Sequence, residues 1–140
     1  MADTLHGITA GKTVTFTHTF SKEDIQKYAE ASGDVNPIHL DPAYARHTRF
    51  GEPIAHGILA AGTVLSAAGM NLAPDCVVIY VSQNIRYIAP VKAGDTLTAT
   101  VTATNVDTMK SRVGLECSVK NQKGAEVLAG EAEVQVELTM

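Results

Sequence analysis

The chain has 140 residues, 45% hydrophobic and 19% charged, which is the length and composition of an ordinary globular domain and excludes a disordered or fibrous protein. Its formal net charge of -4 argues against a nucleic-acid surface, which needs clustered lysine and arginine to neutralise phosphates. We therefore expect one domain over residues 1–140, in which any anionic ligand is held by a few local cations.

The N-terminal part of the chain predicts a strand followed by a helix. Over residues 12–20 threonine alternates with valine, phenylalanine and histidine, the period-2 pattern of a half-buried strand. Ser21, followed three residues later by Asp24, resembles a capping box and predicts a helix over residues 21–32, which Gly33 ends.

The middle of the chain predicts a short helix and then a long apolar one. Asp41 and Pro42 are typical of an N-cap and first helical residue, for a short helix over residues 42–47. Residues 54–73 are apolar nearly all round, so a helix there must be buried. The alternative is a transmembrane helix. It is less favoured because no basic flank follows and four polar side chains interrupt the run: His56, Thr63, Ser66 and Asn71.

The rest of the chain predicts strands. Their period-2 patterns and the intervening turns place four of them at residues 76–91, 95–106, 111–122 and 125–138. With the first strand this makes five, and the apolar helix lies between the first and the second. The economical packing is an antiparallel sheet curled around that helix, an α+β fold.

The two cysteines and the N-terminus indicate the compartment. Cys76 and Cys117 lie far apart in apolar runs, which predicts reduced core thiols more readily than a disulfide or a metal knuckle. The first twelve residues lack the basic start and the apolar stretch of about 7–15 residues of a secretory signal. We expect a cytoplasmic protein.

The stretch SGDVNPIHLDP, residues 32–42, carries the chemistry. Pro37 disfavours helix at Asn36, so we expect Asp34 and His39 on a stiff irregular loop, able to converge on one small guest. A carboxylate and an imidazole directed at one water molecule can remove a proton from it and orient it, as addition or elimination of water requires.

Two other interpretations of these residues remain open at this point. Asp and Asn before proline are common in turns, and a histidine near apolar residues is often structural, so spacing alone does not decide. A metal site is less favoured because no H-E-x-x-H or cysteine pair sets ligand geometry among the metal-capable residues: His39, Asp41, His47 and His56.

Three segments resemble a known family in order and register: SGDVNPIHLDPAYA, FGEPIAHGILAAG and IRYIAPVKAGDTL. They are similar to segments of the MaoC-like, (R)-specific enoyl-CoA hydratases, which have the hot-dog fold, and the resemblance runs from about residue 10 to the end. It implies that Asp34 and His39 are the catalytic dyad. It also implies that the backbone N–H of Gly57 hydrogen-bonds the thioester carbonyl of the substrate.

Helix physics supports this role for Gly57, because an N-terminal amide is unpaired and lies at the positive end of the helix dipole. A glycine needed only for close packing is the alternative, and both can hold. We expect His56 to cap or pack, outside the catalytic set. For substrate binding we expect Asn36, which either shapes the loop or bonds the dyad, and Arg86. The charge pattern suggests Arg86, with Arg46, Arg49 and Lys92, as a phosphate contact.

The resemblance implies a reversible hydration of trans-2-enoyl-CoA to (3R)-3-hydroxyacyl-CoA. Coenzyme A is then part of the substrate, and we expect no other cofactor and no metal; an acyl carrier protein is the competing carrier. Hot-dog proteins generally pair edge to edge, which implies a homodimer or higher homo-oligomer. The rival functions are a hot-dog thioesterase and a non-catalytic subunit that binds acyl thioesters.

Overall fold

The computed structural model describes residues 3–140, which form seven strands and five α-helices. The strands are β1 (Thr4–Leu5), β2 (Ile8–Thr9), β3 (Thr13–Thr19), β4 (Cys76–Tyr87), β5 (Thr96–Asp107), β6 (Arg112–Lys120) and β7 (Glu126–Leu138). The helices are α1 (Lys22–Ser32), α2 (Pro37–Leu40), α3 (Pro42–Ala45), α4 (Gly57–Ala61) and α5 (Ala67–Leu72). A π-helical segment, Gly62–Ser66, joins α4 to α5, and we call the continuous run of residues 57–72 the central helix.

A five-stranded antiparallel sheet packs against the central helix. The strand order is β3-β5-β6-β7-β4, and β1 and β2 form a separate two-stranded hairpin. Val64, Leu65 and Ala68 of the central helix are fully buried in one core with residues of the sheet such as Leu97 and Val113. This confirms the predicted α+β fold of five strands around a central apolar helix.

The outer face of the sheet is polar where the threonines alternate. β3 pairs with β5 so that threonine faces threonine across the strands, and Thr17 Oγ1 lies 3.0 Å from Thr98 Oγ1. The residues between them, such as Phe16 and Ala99, face the core side. Among residues 3–140, no helix combines the length and apolarity that a membrane span requires.

The segment before the central helix is more regular than predicted. We expected His39 on an irregular loop, but it lies in the single turn of α2, and that prediction was wrong. The reason is local: proline is favourable at the first position of a helix, and Asn36 is the N-cap, whose side chain accepts a hydrogen bond from Ile38 N. Asp34 remains outside the helix, so the turn begins between the two dyad residues.

Helix α1 begins with the predicted capping box. Ser21 Oγ accepts from Asp24 N, and Asp24 Oδ2 accepts from Ser21 N, each at 3.0 Å. Asp24 Oδ2 also lies 2.9 Å from His18 Nε2 on β3. The hydrogen bond from the Ser21 backbone, aided by His18, lowers the pKa of Asp24 below its ordinary value. This box fixes the start of the helix that leads into the segment carrying Asp34.

Asp24→Asn should lower the free energy of unfolding by about 0.5–1 kcal/mol at pH 7, the range of a lost capping interaction. Because the pKa of Asp24 is lowered in the folded state, its contribution is complete above the unfolded value of about 3.9 and is lost as the pH falls through the folded pKa. The unfolding free energies of the two proteins in urea should therefore converge as the pH is lowered past the folded-state pKa of Asp24. Glu23→Gln is the control: it removes a charge from the same turn outside the box, and the exposed ion pair of Glu23 with Lys27 contributes little. A deficit that stays the same size from pH 7 to the lowest pH measured contradicts the prediction.

Candidate active site

The predicted dyad and the start of the central helix line one cavity. Its volume is about 480 Å³, within the range of about 300–1,000 Å³ of small-molecule sites. Asp34, His39, His56 and Gly57 all line it, and the rest of the wall is mainly apolar, from the end of β4, the segment after it and the helix. The fold thus brings together the three predicted catalytic residues, Asp34, His39 and Gly57, which are up to 23 positions apart in the sequence.

The dyad presents two hydrogen-bond acceptors to one small space. His39 Nδ1 lies 2.8 Å from the carbonyl oxygen of Ile54, and since a carbonyl only accepts, Nδ1 carries the proton. Nε2 of His39 then carries a lone pair, and this atom lies 3.9 Å from Asp34 Oδ2. This separation is too long for a direct hydrogen bond, but a water molecule between the two atoms can donate to both. His39 is largely buried, whereas the Asp34 side chain is 50% exposed.

The N–H of Gly57 is the first of the central helix. Among the hydrogen bonds of residues 3–140, none uses it as a donor, and the His56 side chain makes no capping bond to this helix. A Cβ at position 57 would lie 2.7 Å from the ring of Tyr87, so close packing also requires glycine. Both interpretations of Gly57 therefore have a physical basis in the same structure.

His56 occupies the middle of the site, although the sequence analysis left it out of the catalytic set. Its side chain is buried, its Nε2 lies 2.9 Å from the Asp34 carbonyl oxygen, and its ring stacks on His39 with centroids 3.8 Å apart. The Tyr28 ring also packs against the His56 ring, with 4.6 Å between the ring centroids. The only signal in the sequence was its position directly before Gly57.

The two predicted substrate-binding residues lie outside the cavity lining. Asn36 caps α2, and its N–H donates to Asp34 Oδ1 at 3.3 Å, so its observed contacts shape the segment. Arg86 lines a separate groove with Glu116 and Glu131. Side chains alternate along a strand, and because Tyr87 lines the cavity, its neighbour Arg86 points to the other face.

Arg49 is the one lysine or arginine among the residues that line the cavity. Its guanidinium carbon lies 4.6 Å above the centroid of the Phe50 ring, which orients a cation that is otherwise exposed. Of the four cations considered from charge alone, Arg49 is therefore the one placed to contact the anionic part of a ligand in this cavity.

Three side chains of the cavity are also of the types that bind metal ions, and their geometry bears on whether they could share one ion. Asp34, His39 and His56 each offer a ligand atom, all within 4.8 Å of one another. The two imidazoles are stacked with an angle of 26° between their planes, so their lone pairs run side by side instead of converging on one point. His39 Nδ1 and His56 Nε2 are already bonded to carbonyl oxygens. This geometry fits a shared water better than a shared ion.

An antiparallel sheet packed around one central helix is the architecture of the hot-dog class of proteins. Residues 6–125 match the family described as MaoC like domain. The chain belongs to this family, as the three sequence motifs predicted. The R-hydratase PhaJ1 from Pseudomonas aeruginosa superposes with a TM-score of 0.85 at 37% identity, over 96% of this chain and 86% of that one.

Two relatives with described activities are similar over most of the chain. An (R)-specific enoyl-CoA hydratase of Rhodospirillum rubrum is 40% identical over 131 residues, which cover 92% of this chain and 88% of the relative. An (R)-specific enoyl-CoA hydratase of Aeromonas caviae is 35% identical over 126 residues, 90% of this chain and 93% of the relative.

Proposed function

We propose that the protein is a hydro-lyase that reversibly hydrates trans-2-enoyl-CoA to (3R)-3-hydroxyacyl-CoA. The observation that carries the proposal is the 3.9 Å separation of two lone-pair-bearing atoms, Asp34 Oδ2 and His39 Nε2, in the cavity that Gly57 also lines. The names of the similar proteins from Rhodospirillum rubrum and Aeromonas caviae support it. Coenzyme A belongs to the substrate, and the proposal requires no other cofactor.

The dyad activates water in this mechanism. A water molecule that donates one hydrogen to Asp34 and the other to His39 directs an oxygen lone pair into the cavity, at the β-carbon of the enoyl thioester. As the new C–O bond forms, Asp34 takes one water proton and the π pair of the double bond moves toward the carbonyl. The resulting enolate collapses when its α-carbon takes a proton from the protonated dyad. Asp34 holds this proton, and His39 shares in its delivery. The reverse sequence is the dehydration.

Gly57 stabilises the charge that appears during this step. The negative charge accumulates on the thioester oxygen, at a point where the helix offers an N–H without an acceptor of its own. Because the central helix is held in the core, this donor is oriented before the substrate arrives and needs no rearrangement. Arg49, at the same cavity, is available to the phosphates of the carrier.

Asp34→Asn and His39→Gln should each lower kcat by about 10²–10⁴-fold, the usual contribution of general acid–base catalysis. The measurement is loss of the conjugated enoyl-thioester absorbance with C4, C6, C8 and C10 trans-2-enoyl-CoA, with thiol release followed in parallel. Glu30→Gln, an exposed carboxylate of α1, is the matched control and should keep wild-type rates.

The same assay separates the rival functions. Release of thiol by the wild type without prior hydration indicates a thioesterase, and no reaction with any of the four substrates favours a non-catalytic binding subunit. Arg49→Gln should raise KM for the CoA thioesters and leave kcat nearly unchanged. If Arg49→Gln has no effect and the wild type prefers the acyl carrier protein thioester, CoA is not the carrier.

Gly57→Pro should lower kcat by about 10²–10³-fold relative to Gly57→Ala. Both variants place a Cβ against Tyr87, but only proline removes the N–H, and proline is well tolerated at the first position of a helix. The backbone of His56, with ψ 131, is compatible with a following proline. Equal kcat values for the two variants contradict the role of this N–H.

We also infer that two chains pair through β4, which lies at one edge of the sheet. Three apolar side chains of this strand are 42–47% exposed: Val77, Ile79 and Val81. A long apolar edge strand invites pairing with another strand. Tyr87, the last residue of the same strand, and Ile58 are exposed beside the cavity, where a second copy paired along β4 would cover the half-open site.

Ile79→Lys should shift the wild-type dimer toward monomer in sedimentation equilibrium, because the charge would be desolvated at the interface. Thr17→Lys places the same charge on β3, at the opposite edge of the sheet, and should leave the dimer intact. A monomeric wild type, or dissociation by both substitutions alike, contradicts pairing through β4.

The cysteines favour a reducing compartment such as the cytoplasm. Cys76 and Cys117 are both free thiols. Burial raises the pKa of Cys117 to about 11, so this thiol stays protonated and unreactive at neutral pH.

A further inference from the structure

His56 connects the two segments that form the polar part of the proposed site. It precedes Gly57 in the chain, its Nε2 is 2.9 Å from the backbone oxygen of Asp34, and its ring stacks on His39 at 3.8 Å between centroids. The two segments that carry the water-activating dyad and the carbonyl donor are thus connected through one buried imidazole.

The hydrogen bonds fix the tautomer of this ring. Because the Asp34 carbonyl oxygen only accepts, Nε2 of His56 carries the proton and Nδ1 of the neutral ring carries a lone pair. Within residues 3–140, His56 Nδ1 is the one buried side-chain nitrogen or oxygen without a hydrogen-bond partner. A buried polar atom without a partner costs stability, and an apolar residue would fill the same space without that cost. The donor at Nε2 is the property of histidine that the fold uses here.

We propose that His56 is a positioning residue, which sets the distance between the Asp34–His39 dyad and the Gly57 N–H through its Nε2–H···O=C bond to Asp34. The inference rests on the proposed hydration. The bond holds the backbone of Asp34 against the start of the central helix, and the stacked ring prevents His39 from rotating away from Ile54. His56 itself transfers no proton to substrate.

The size of the expected effect follows from distance. Relaxing the Asp34 segment by about 1 Å moves the water away from the β-carbon while the apolar wall and Arg49 still bind the thioester, and such a displacement costs about 10²-fold in rate. A positioning role therefore predicts a fall in kcat with KM little changed. A purely structural role predicts a loss of folded protein with normal kinetics in the remainder.

The test compares His56→Phe with His56→Gln. Phenylalanine keeps a ring against His39 but removes the donor; glutamine places an amide N–H near the position of Nε2. We expect kcat of His56→Phe to fall about 10–100-fold with KM within about threefold, and His56→Gln to recover most of the loss. Val113→Ala, a core substitution whose cross-strand partners Val106 and Val134 do not line the cavity, should lower the melting temperature without lowering kcat per folded molecule.

The proposal is overturned if His56→Phe keeps the wild-type kcat, if its KM alone changes, or if both variants lose activity only in proportion to their folded fraction. ¹⁵N NMR of the wild type provides a readout independent of activity: an Nε2–H tautomer at His56 supports the proposal, and an Nδ1–H tautomer overturns it. Wild type and Asp34→Asn are assayed alongside on the four CoA thioesters. A wild type that hydrates none of them overturns the proposed function and this inference together, whereas an active wild type with an unaffected His56→Phe overturns the inference alone.

Discussion

Burial of the central helix is the constraint on which the rest of the structure depends. Residues 57–72 carry too much apolar surface for a helix in water alone, and the sheet covers one side of it. The other side is exposed at every fourth residue: Ile58, Gly62, Ser66 and Met70. The sheet covers the middle of the helix more completely than its first residue, because Gly57 also lines the cavity. Packing of the core and exposure of one helix terminus to a ligand are therefore two results of a single arrangement.

The segment around the dyad is held by short-range bonds that each use a different side chain. Asn36 caps the turn that carries His39, Asp41 caps the next helix through Ala43 N and Tyr44 N, and Ile54 fixes the His39 ring through its carbonyl oxygen. Asp34 accepts from His56 with its backbone oxygen and from Asn36 N with Oδ1, which leaves Oδ2 for the cavity. These bonds fix the backbone of a segment without long regular structure, and they leave Asp34 Oδ2, His39 Nε2 and the Gly57 N–H at the cavity without partners among residues 3–140.

The cavity combines a polar wall and an apolar wall from different elements. The polar wall comes from the dyad segment and the start of the helix; the apolar wall comes from the end of β4 and residues such as Leu128. This division suits a thioester, whose reacting atoms need hydrogen bonds and whose acyl chain needs apolar surface. Tyr87 and Ile88 are exposed at this wall, at the end of β4, so the proposed pairing through β4 would bring a second chain toward the proposed site.

Local and periodic features were predictable from the sequence alone. The capping box of α1, the alternation in β3 and β5, and the buried character of the central helix depend on neighbours within a few residues, and the structure has them close to the predicted bounds. The sequence proposes Asp34 and His39 as a dyad because they are five residues apart and their motif resembles a known family, and the structure places both at one cavity. The α2 turn was not predicted, because proline disfavours helix at the residue before it and yet is favourable at the first helical position, which Pro37 occupies after the N-cap Asn36.

Only the tertiary structure decided the rest, because it concerns atoms brought together by long-range packing. The 3.9 Å between Asp34 and His39, the free N–H of Gly57 and the burial of His56 between them depend on where the sheet holds the start of the central helix. Packing also distinguishes two arginines that are equal as charges in the sequence. Arg49 lines the cavity, whereas Arg86 lies in a separate groove. Side chains alternate along β4, so Tyr87 points to the cavity and Arg86 points away from it. Sequence determined which elements form and which chemistry is available; packing determined which side chains share one space.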